Sequence, residues 1–182
     1  MGVAKREPMK PIAFAVPAAL LAACAVAGVA CPDRAFGATA PDTIGIESGH
    51  CYRLIVASHD VSISCTPSVV NETSKNGRTG FTFRASALAT VSFSGPSSAE
   101  VKTADGKISQ PIDNITFRIV GVGALQSTTS SVGTCVYSDP NIGPAAVECA
   151  ATASAGLFDA RFVSDGREPV SRDVRTDGIA RR

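Results

Sequence analysis

The four cysteines within residues 41–182 are the side chains with the clearest chemical potential, and they form two pairs with the same spacing. Cys65 follows Cys51 by fourteen positions, and Cys149 follows Cys135 by fourteen. Zinc ligands usually come in close pairs separated by two to four residues, and dithiol redox centres use Cys-x-x-Cys. Neither spacing occurs here. The sequence therefore predicts two structural disulfides, and it assigns no bound metal and no other cofactor.

The pairing of these cysteines follows from the turns predicted inside each pair. Four cysteines allow three pairings. A turn at Ser58 sets Cys51 opposite Cys65, and a turn at Ile142 does the same for the second pair. Opposed Cα atoms in an antiparallel hairpin lie ~4.5 to 5.5 Å apart, within the span of a disulfide. The local pairing is therefore favoured, and a crossed pairing between the two hairpins is the alternative.

The other reactive side chains form no recognisable catalytic pattern. His59 and Asp60 suggest a base with its orienting carboxylate, but neighbours on a strand point to opposite faces. Ser48 is fourth in Gly-Ile-Glu-Ser-Gly, where a nucleophile elbow needs it third. His50 stands beside Cys51, whose sulfur is expected to be oxidised. The sequence therefore assigns no catalytic residue, although two carboxylates brought together by the fold for glycoside hydrolysis remain an open alternative.

The segments that position these residues alternate apolar and polar side chains with the period of a β-strand. Ile115, Phe117 and Ile119, for example, share one face. Strand-like segments between turn signals cover 51–57, 61–65, 68–73, 78–84, 89–95, 112–120, 134–139, 145–152 and 156–166, and two shorter segments, 99–103 and 107–110, flank Asp105-Gly106. This pattern predicts an all-β domain over 41–166, a small antiparallel β-sandwich or barrel of about nine short strands.

The turns and the irregular segments are predicted from their composition. Asn76-Gly77 and Asp105-Gly106 are dipeptides that tolerate the positive φ of tight hairpin turns. Residues 140–144 form a third turn. The Gly, Ser and Thr-rich segment 121–133 is predicted to be a long loop, and the polar tail 167–182 is predicted to be disordered.

Residues 1–40 have the order of a secretory signal peptide. A short stretch with three basic residues precedes an uncharged apolar run over 11–30, and small residues follow. This order predicts cleavage near 37/38 or 40/41 and export to the periplasm or the outside of the cell. After cleavage no membrane span remains.

Two alternatives concern how the exported chain is held. The apolar run in 11–30 approaches the ~20 residues that a membrane-spanning helix needs, so a retained anchor is one alternative. Leu-Ala-Ala-Cys at 21–24 resembles the lipobox of bacterial lipoproteins, and the second alternative is a lipid anchor on Cys24.

Composition and charge narrow the classes of function. The chain has 182 residues, of which 45% are hydrophobic and 18% charged, so it can bury a core. Its net charge is +1, and because four of the 17 basic and two of the 16 acidic residues lie in 1–40, the remainder carries −1. Such a balance offers no electrostatic footprint for nucleic acid.

We therefore expect an exported, non-catalytic β-domain protein with a binding or structural role in the cell envelope or outside the cell. The sequence specifies no partner, and either a protein or a glycan fits this class. The alternatives are a small secreted hydrolase that uses unidentified carboxylates and an inhibitor of a secreted enzyme.

Overall fold

The computed structural model of the protein describes residues 43–120, 125–139 and 142–173, and these residues form strands almost throughout. The strands are β1 (Thr43–Val56), β2 (His59–Asp60), β3 (Ser68–Ser74), β4 (Arg78–Ala85), β5 (Ala89–Pro96), β6 (Val101–Lys102), β7 (Ile108–Ile119), β8 (Leu125–Tyr137), β9 (Ala146–Ala153), β10 (Gly156–Ser164) and β11 (Val170–Asp173). Two short 3₁₀ turns lie at Ser62–Ser64 and Ser97–Ala99.

The eight longer strands close into an antiparallel barrel. They pair in the order β1–β3–β4–β5–β7–β8–β9–β10, and β10 pairs back with β1. Each long strand pairs with the next long strand along the chain, so the barrel has an up-and-down topology. The short strands β2 and β6 pair with β1 and β7, and β11 pairs with the first half of β1. The all-β prediction is confirmed, and of its two forms the barrel is the one observed.

Aromatic side chains fill the interior of the barrel. The largest fully buried side chains include Phe81, Phe83, Phe93, Phe158, Phe162, Leu54 and Ile115. The rings of Phe83 and Phe93 pack edge to face with centroids 5.9 Å apart, and those of Phe117 and Phe158 are 5.1 Å apart. Eight strands enclose a space that side chains can fill, and each large apolar side chain buried there contributes ~1.5 to 3 kcal/mol.

A β-bulge in β1 decides which of its side chains face the interior. The register between β1 and β10 shifts at Tyr52. After the bulge Leu54 lies in the core, and before it Cys51 lies opposite the buried Phe162. Because side chains alternate along a strand, one extra residue moves the inward face from even to odd positions. Glu47 therefore lies on the inward face of β1.

Both disulfides join the cysteines within each predicted pair. Cys135 and Cys149 lie directly opposite one another in β8 and β9, with Cα atoms 4.0 Å apart. Cys51 and Cys65 are bridged with Cα atoms 5.9 Å apart. The local pairing is confirmed, and the crossed alternative is wrong.

Residues 61–65 do not form the strand that the sequence predicts. The β1–β2 ladder ends at Asp60, and the 3₁₀ turn Ser62–Ser64 follows. The Ser62 hydroxyl accepts a hydrogen bond from the Leu54 N–H at 2.8 Å, and Asp60 accepts one from the Ser62 N–H at 3.0 Å. The Val61 N–H still donates to the Leu54 carbonyl at 2.9 Å, and the Ser62 bonds replace the ladder beyond it. Cys65 therefore reaches Cys51 from the residue after the turn, where it forms an isolated bridge with Ala85, and not from a hairpin strand.

The predicted loop over 121–133 is wrong from Leu125 onwards, where β8 begins. The pattern failed because the inward positions of this strand hold small side chains. Ser127 lies opposite Phe117, and Thr129 lies opposite Ile115. Large neighbours occupy the interior volume there, so the strand carries no apolar alternation that a sequence pattern could detect. Residues 121–124 lie outside the described part of the chain.

The tail departs from its predicted disorder at its start, since Val170–Asp173 forms β11 and Val170 pairs with Ile46 of β1. The predicted signal peptide, its cleavage sites and Cys24 lie outside the described residues, as does the tail beyond Asp173. Within the described residues, no helix combines the length and the apolar character needed to span a membrane.

Candidate binding site

A concavity of about 240 Å³ lies where β1, β3 and β11 meet. We call it the mouth pocket; its lining residues are Thr43, Gly45, Glu47, Asn71, Thr73, Glu168, Pro169 and Ser171. Gly45 lies opposite Asn71 on one side and opposite Ser171 on the other, so these residues share a face. That face continues into the core, because Asn71 is also opposite the buried Phe81. The pocket is therefore the polar end of the barrel interior.

Glu47 lies at the boundary between this pocket and the packed core. Its cross-strand partner is Val69, which is fully buried, and Glu47 itself is 3% exposed. Its Oε2 atom is buried and has no hydrogen-bond partner among the described residues. Burial raises the pKa of the Glu47 carboxyl above its ordinary value of 4.5, because desolvation penalises the charged form. An unpartnered carboxyl in such a place is a marker of a functional site.

The other lining groups are acidic or neutral. Glu168 supplies a second carboxylate from the segment between β10 and β11 and is exposed. Asn71 contributes an amide, and three hydroxyl groups come from Thr43, Thr73 and Ser171. No Lys, Arg or His is among the lining residues in the described part of the chain. The pocket therefore combines two carboxyl groups with several hydrogen-bond acceptors, and no basic side chain lines it within the described residues.

A second polar cluster lies in the interior near the start of β7. Gln110 is fully buried, and its amide donates to the carbonyls of Thr79 at 2.9 Å and Gly95 at 3.2 Å. Burial and the nearby Glu100 carboxylate raise the pKa of the Tyr137 hydroxyl. Gln110 Oε1 and Glu100 Oε1 are buried without a hydrogen-bond partner among the described residues. None of these three side chains lines the mouth pocket, so we interpret the cluster as structural.

A second concavity, of about 350 Å³, lies on the outer wall formed by β8, β9 and β10. Its charged residues are already paired: Arg161 contacts Glu148 at 3.3 Å, Asp159 contacts Arg53 at 3.1 Å, and Lys107 contacts Asp105 at 3.3 Å. Surface ion pairs of this kind are weak and solvated. This wall therefore has no uncompensated charge of the kind that Glu47 provides.

The side chains that looked reactive in the sequence are placed apart from the mouth pocket. His59 and Asp60 are exposed on β2, next to the turn at Ala57 and Ser58, where φ is positive. A hydrogen bond from Ser62 lowers the pKa of Asp60, as expected of a solvated turn carboxylate.

Ser48 and His50 are exposed on β1, and His50 packs against the Tyr52 ring with centroids 4.3 Å apart. Cys51, beside His50, is held in its disulfide. No group of three or more His, Cys, Asp or Glu side chains suited to a metal ion occurs among the described residues.

Sequence reasoning missed Glu47. The run from Thr43 to Gly49 places Ile44 and Ile46 on the face opposite Glu47, which suggests that the isoleucines face inward. The bulge at Tyr52 reverses this assignment. A bulge leaves no reliable composition signal, so only the three-dimensional register reveals that the carboxyl is buried.

The fold and the site define a class of protein: a small, disulfide-bonded, up-and-down β-barrel of eight strands with a carboxylate-lined pocket at one end. No family model, curated protein or solved structure matches this chain.

Proposed function

We propose that this chain is an exported, non-catalytic binding protein and that the mouth pocket is its ligand site. The observation that carries the proposal is the Glu47 carboxyl, which is 3% exposed, lines the pocket and has an oxygen without a partner among the described residues. Burying an uncompensated carboxyl destabilises the folded chain. A ligand that pairs with the Glu47 carboxyl would offset this loss of stability. Ligand binding would therefore explain why a carboxyl is buried at this position.

Two disulfides support the exported location. Disulfides persist in the periplasm and outside the cell, whereas cytosolic thiols are kept reduced. The bridges Cys51–Cys65 and Cys135–Cys149 agree with the signal peptide predicted for 1–40.

A hydrolase is the second candidate, because the pocket holds two carboxylates in different environments. Glu47 has a raised pKa and would act as the acid, and the exposed Glu168 would act as the base. We favour binding because the pocket, at about 240 Å³, is small for two sugar rings. None of its lining residues within the described chain is aromatic, so it has no platform on which a sugar ring stacks.

Ligand-observed NMR on the exported, oxidised protein tests this proposal. The probes are n-butylammonium, methyl glucoside and butyrate, and calcium chloride is titrated in parallel by calorimetry. Gly45→Leu places an apolar side chain at the pocket lining, and its Cβ makes only an ordinary contact with the Asn71 Cβ, at 3.9 Å. The proposal predicts a probe whose binding is lost in Gly45→Leu and kept in Glu148→Gln, a change on the outer wall. Binding that Gly45→Leu leaves intact, or no binding by any probe, contradicts it.

The same preparation separates binding from hydrolysis. Incubation with methylumbelliferyl glycosides should release no fluorophore. Release that is lost in Glu47→Gln and in Glu168→Gln would establish the hydrolase instead.

A further inference from the structure

We infer that the mouth pocket binds an organic cation, an alkylammonium or guanidinium group that places its positive charge against Glu47. The inference rests on the proposed function, because it names the ligand class of the same pocket. It is carried by the charge, the burial and the size of the site.

The charge of the lining selects for a cation. Glu47 and Glu168 are its two ionisable residues, and neither makes an ion pair with any described residue. The hydroxyls of Thr43, Thr73 and Ser171 and the Asn71 carbonyl are all able to accept hydrogen bonds. An ammonium group offers three donors and no acceptor, so it matches this set. An anionic ligand would meet two carboxylates and no compensating cation from the lining.

The burial of Glu47 strengthens its interaction with a ligand cation. An isolated buried carboxylate is strongly disfavoured, and it either takes up a proton or acquires a charge partner. Oε2 is buried and has no donor among the described residues, and a ligand would approach the carboxyl from the side on which Glu47 lines the pocket. A ligand cation is the partner that would let Glu47 ionise in place. Charge-assisted hydrogen bonds in a partly desolvated site are about twice as strong as neutral ones.

The size of the pocket favours an organic cation over a metal ion. A volume of about 240 Å³ is room for roughly eight water molecules at ~30 Å³ each. A calcium ion needs six to eight oxygen ligands at ~2.3 to 2.6 Å, which calls for a tight cage. The described residues hold no cluster of three or more metal-ligating side chains. A cation that carries an alkyl chain of about four carbons fills the space better.

Two sources can supply a cationic group of this kind. One is a free or ligand-borne amine in the medium. The other is this chain itself, because the sequence that follows β11 at one wall of the pocket contains Arg175, Arg181 and Arg182. Comparing the full mature chain with a chain ending at Asp173 distinguishes them. Tighter probe binding after truncation identifies the chain's own arginines as competitors, and unchanged binding identifies an external amine.

Isothermal titration calorimetry with three probes of equal size tests the inference: n-butylammonium, n-butanol and butyrate. We expect n-butylammonium to bind with one-to-one stoichiometry and at least tenfold more tightly than n-butanol, and butyrate not to bind. Glu47→Gln should weaken n-butylammonium at least tenfold. Gly45→Leu should abolish binding while leaving Glu47 in place, so the test survives if Glu47→Gln fails to fold. Glu148→Gln, the same chemical change on an exposed residue paired with Arg161, should have no effect.

The remaining outcomes overturn the inference in distinguishable ways. Glu47-dependent binding of methyl glucoside or calcium without n-butylammonium binding contradicts the organic cation but keeps the pocket as a ligand site. Equal binding of n-butanol and n-butylammonium shows that charge does not matter and also rejects the inference. If Gly45→Leu changes the binding of no probe, both the inference and the proposed function fail.

Discussion

The Glu47 carboxyl links the stability of the barrel to pH. Burial raises its pKa in the folded chain above the ordinary value of 4.5, so the folded state holds this proton more tightly than the unfolded state. The contribution of Glu47 to stability is therefore most favourable below about pH 4.5 and declines as pH rises through the folded-state pKa. Glu168 is the other ionisable residue that lines the pocket, from the segment before β11, and the lining residues of β1 and β3 are otherwise neutral.

Glu47→Gln tests this linkage. Because the amide cannot ionise, we expect the free energy of unfolding at about pH 7.5 to rise by ~1 kcal/mol or more, and the gain to shrink towards zero near pH 4. Urea unfolding at the two pH values measures it. The control is Glu148→Gln, whose residue is half exposed, and it should change stability little at either pH. If Glu47→Gln lowers the free energy of unfolding equally at both pH values, the Glu47 carboxyl makes stabilising interactions in the folded chain, which contradicts the prediction.

At the scale of single residues, the sequence revealed the structural cysteines but not the pocket. The spacing of Cys135 and Cys149 corresponds to a hairpin with a central turn. Such a pairing depends only on residues that are close in the sequence, so it can be predicted from the sequence. The position of Glu47 depends on the bulge at Tyr52 and on its closure against β10, more than a hundred residues away. Contacts of that kind are set by barrel closure and leave no local pattern.

At the scale of strands and hairpins, each disulfide closes a loop of fifteen residues. On the chain-entropy argument, each bridge stabilises the fold by ~3 kcal/mol. We expect Cys135→Ala/Cys149→Ala to lower the free energy of unfolding by about that amount, measured by urea unfolding of the oxidised protein. Cys51→Ala/Cys65→Ala should show a comparable loss. A double variant that unfolds at the wild-type urea concentration would show that its bridge does not stabilise the barrel.

The pairing of β8 with β9 depends on a glycine. A Cβ at Gly133 would lie 2.3 Å from the Ala151 Cβ and 2.4 Å from the Ala150 carbonyl oxygen. Gly133→Ala should therefore lower the free energy of unfolding by ~1 to 3 kcal/mol through overpacking. Gly45→Ala is the matched control, because its Cβ makes only an ordinary contact with the Asn71 Cβ, at 3.9 Å, and it should be neutral or slightly stabilising. Equal stability of the two variants would contradict the close approach of β8 and β9.

Strand prediction succeeded where one face is strongly apolar and failed where it is not. β5 alternates fully, with Val91 and Phe93 buried, and the sequence gives its bounds almost to the residue. Asn76-Gly77 and Asp105-Gly106 lie at tight turns, and both glycines have positive φ. The end of β8 was predicted, but residues 125–133 were missed because Ser127 and Thr129 lie opposite large side chains on β7. Complementary sizes across a strand pair are invisible until the pairing is known.

At the scale of the whole molecule, export with signal-peptide cleavage predicts the mass and the disulfide content of the exported chain. Intact mass of the protein exported by its native host should correspond to a chain that begins after residue 37 or residue 40. Reduction should add four hydrogens, two for each bridge. A chain that begins at Cys24 with added lipid mass would establish the lipoprotein alternative. A full-length chain with all cysteines free would contradict export.

Glu47 is central to the proposed site, as a buried carboxyl that a cation can partner. The most direct measurement is a ¹³C NMR titration of the Glu47 side-chain carboxyl in the oxidised protein, with and without n-butylammonium. The account predicts a midpoint above the ordinary 4.5 without the probe, and a lower midpoint with it, because a cation favours the charged form. A midpoint at or below 4.5 that does not move when n-butylammonium is added would contradict it.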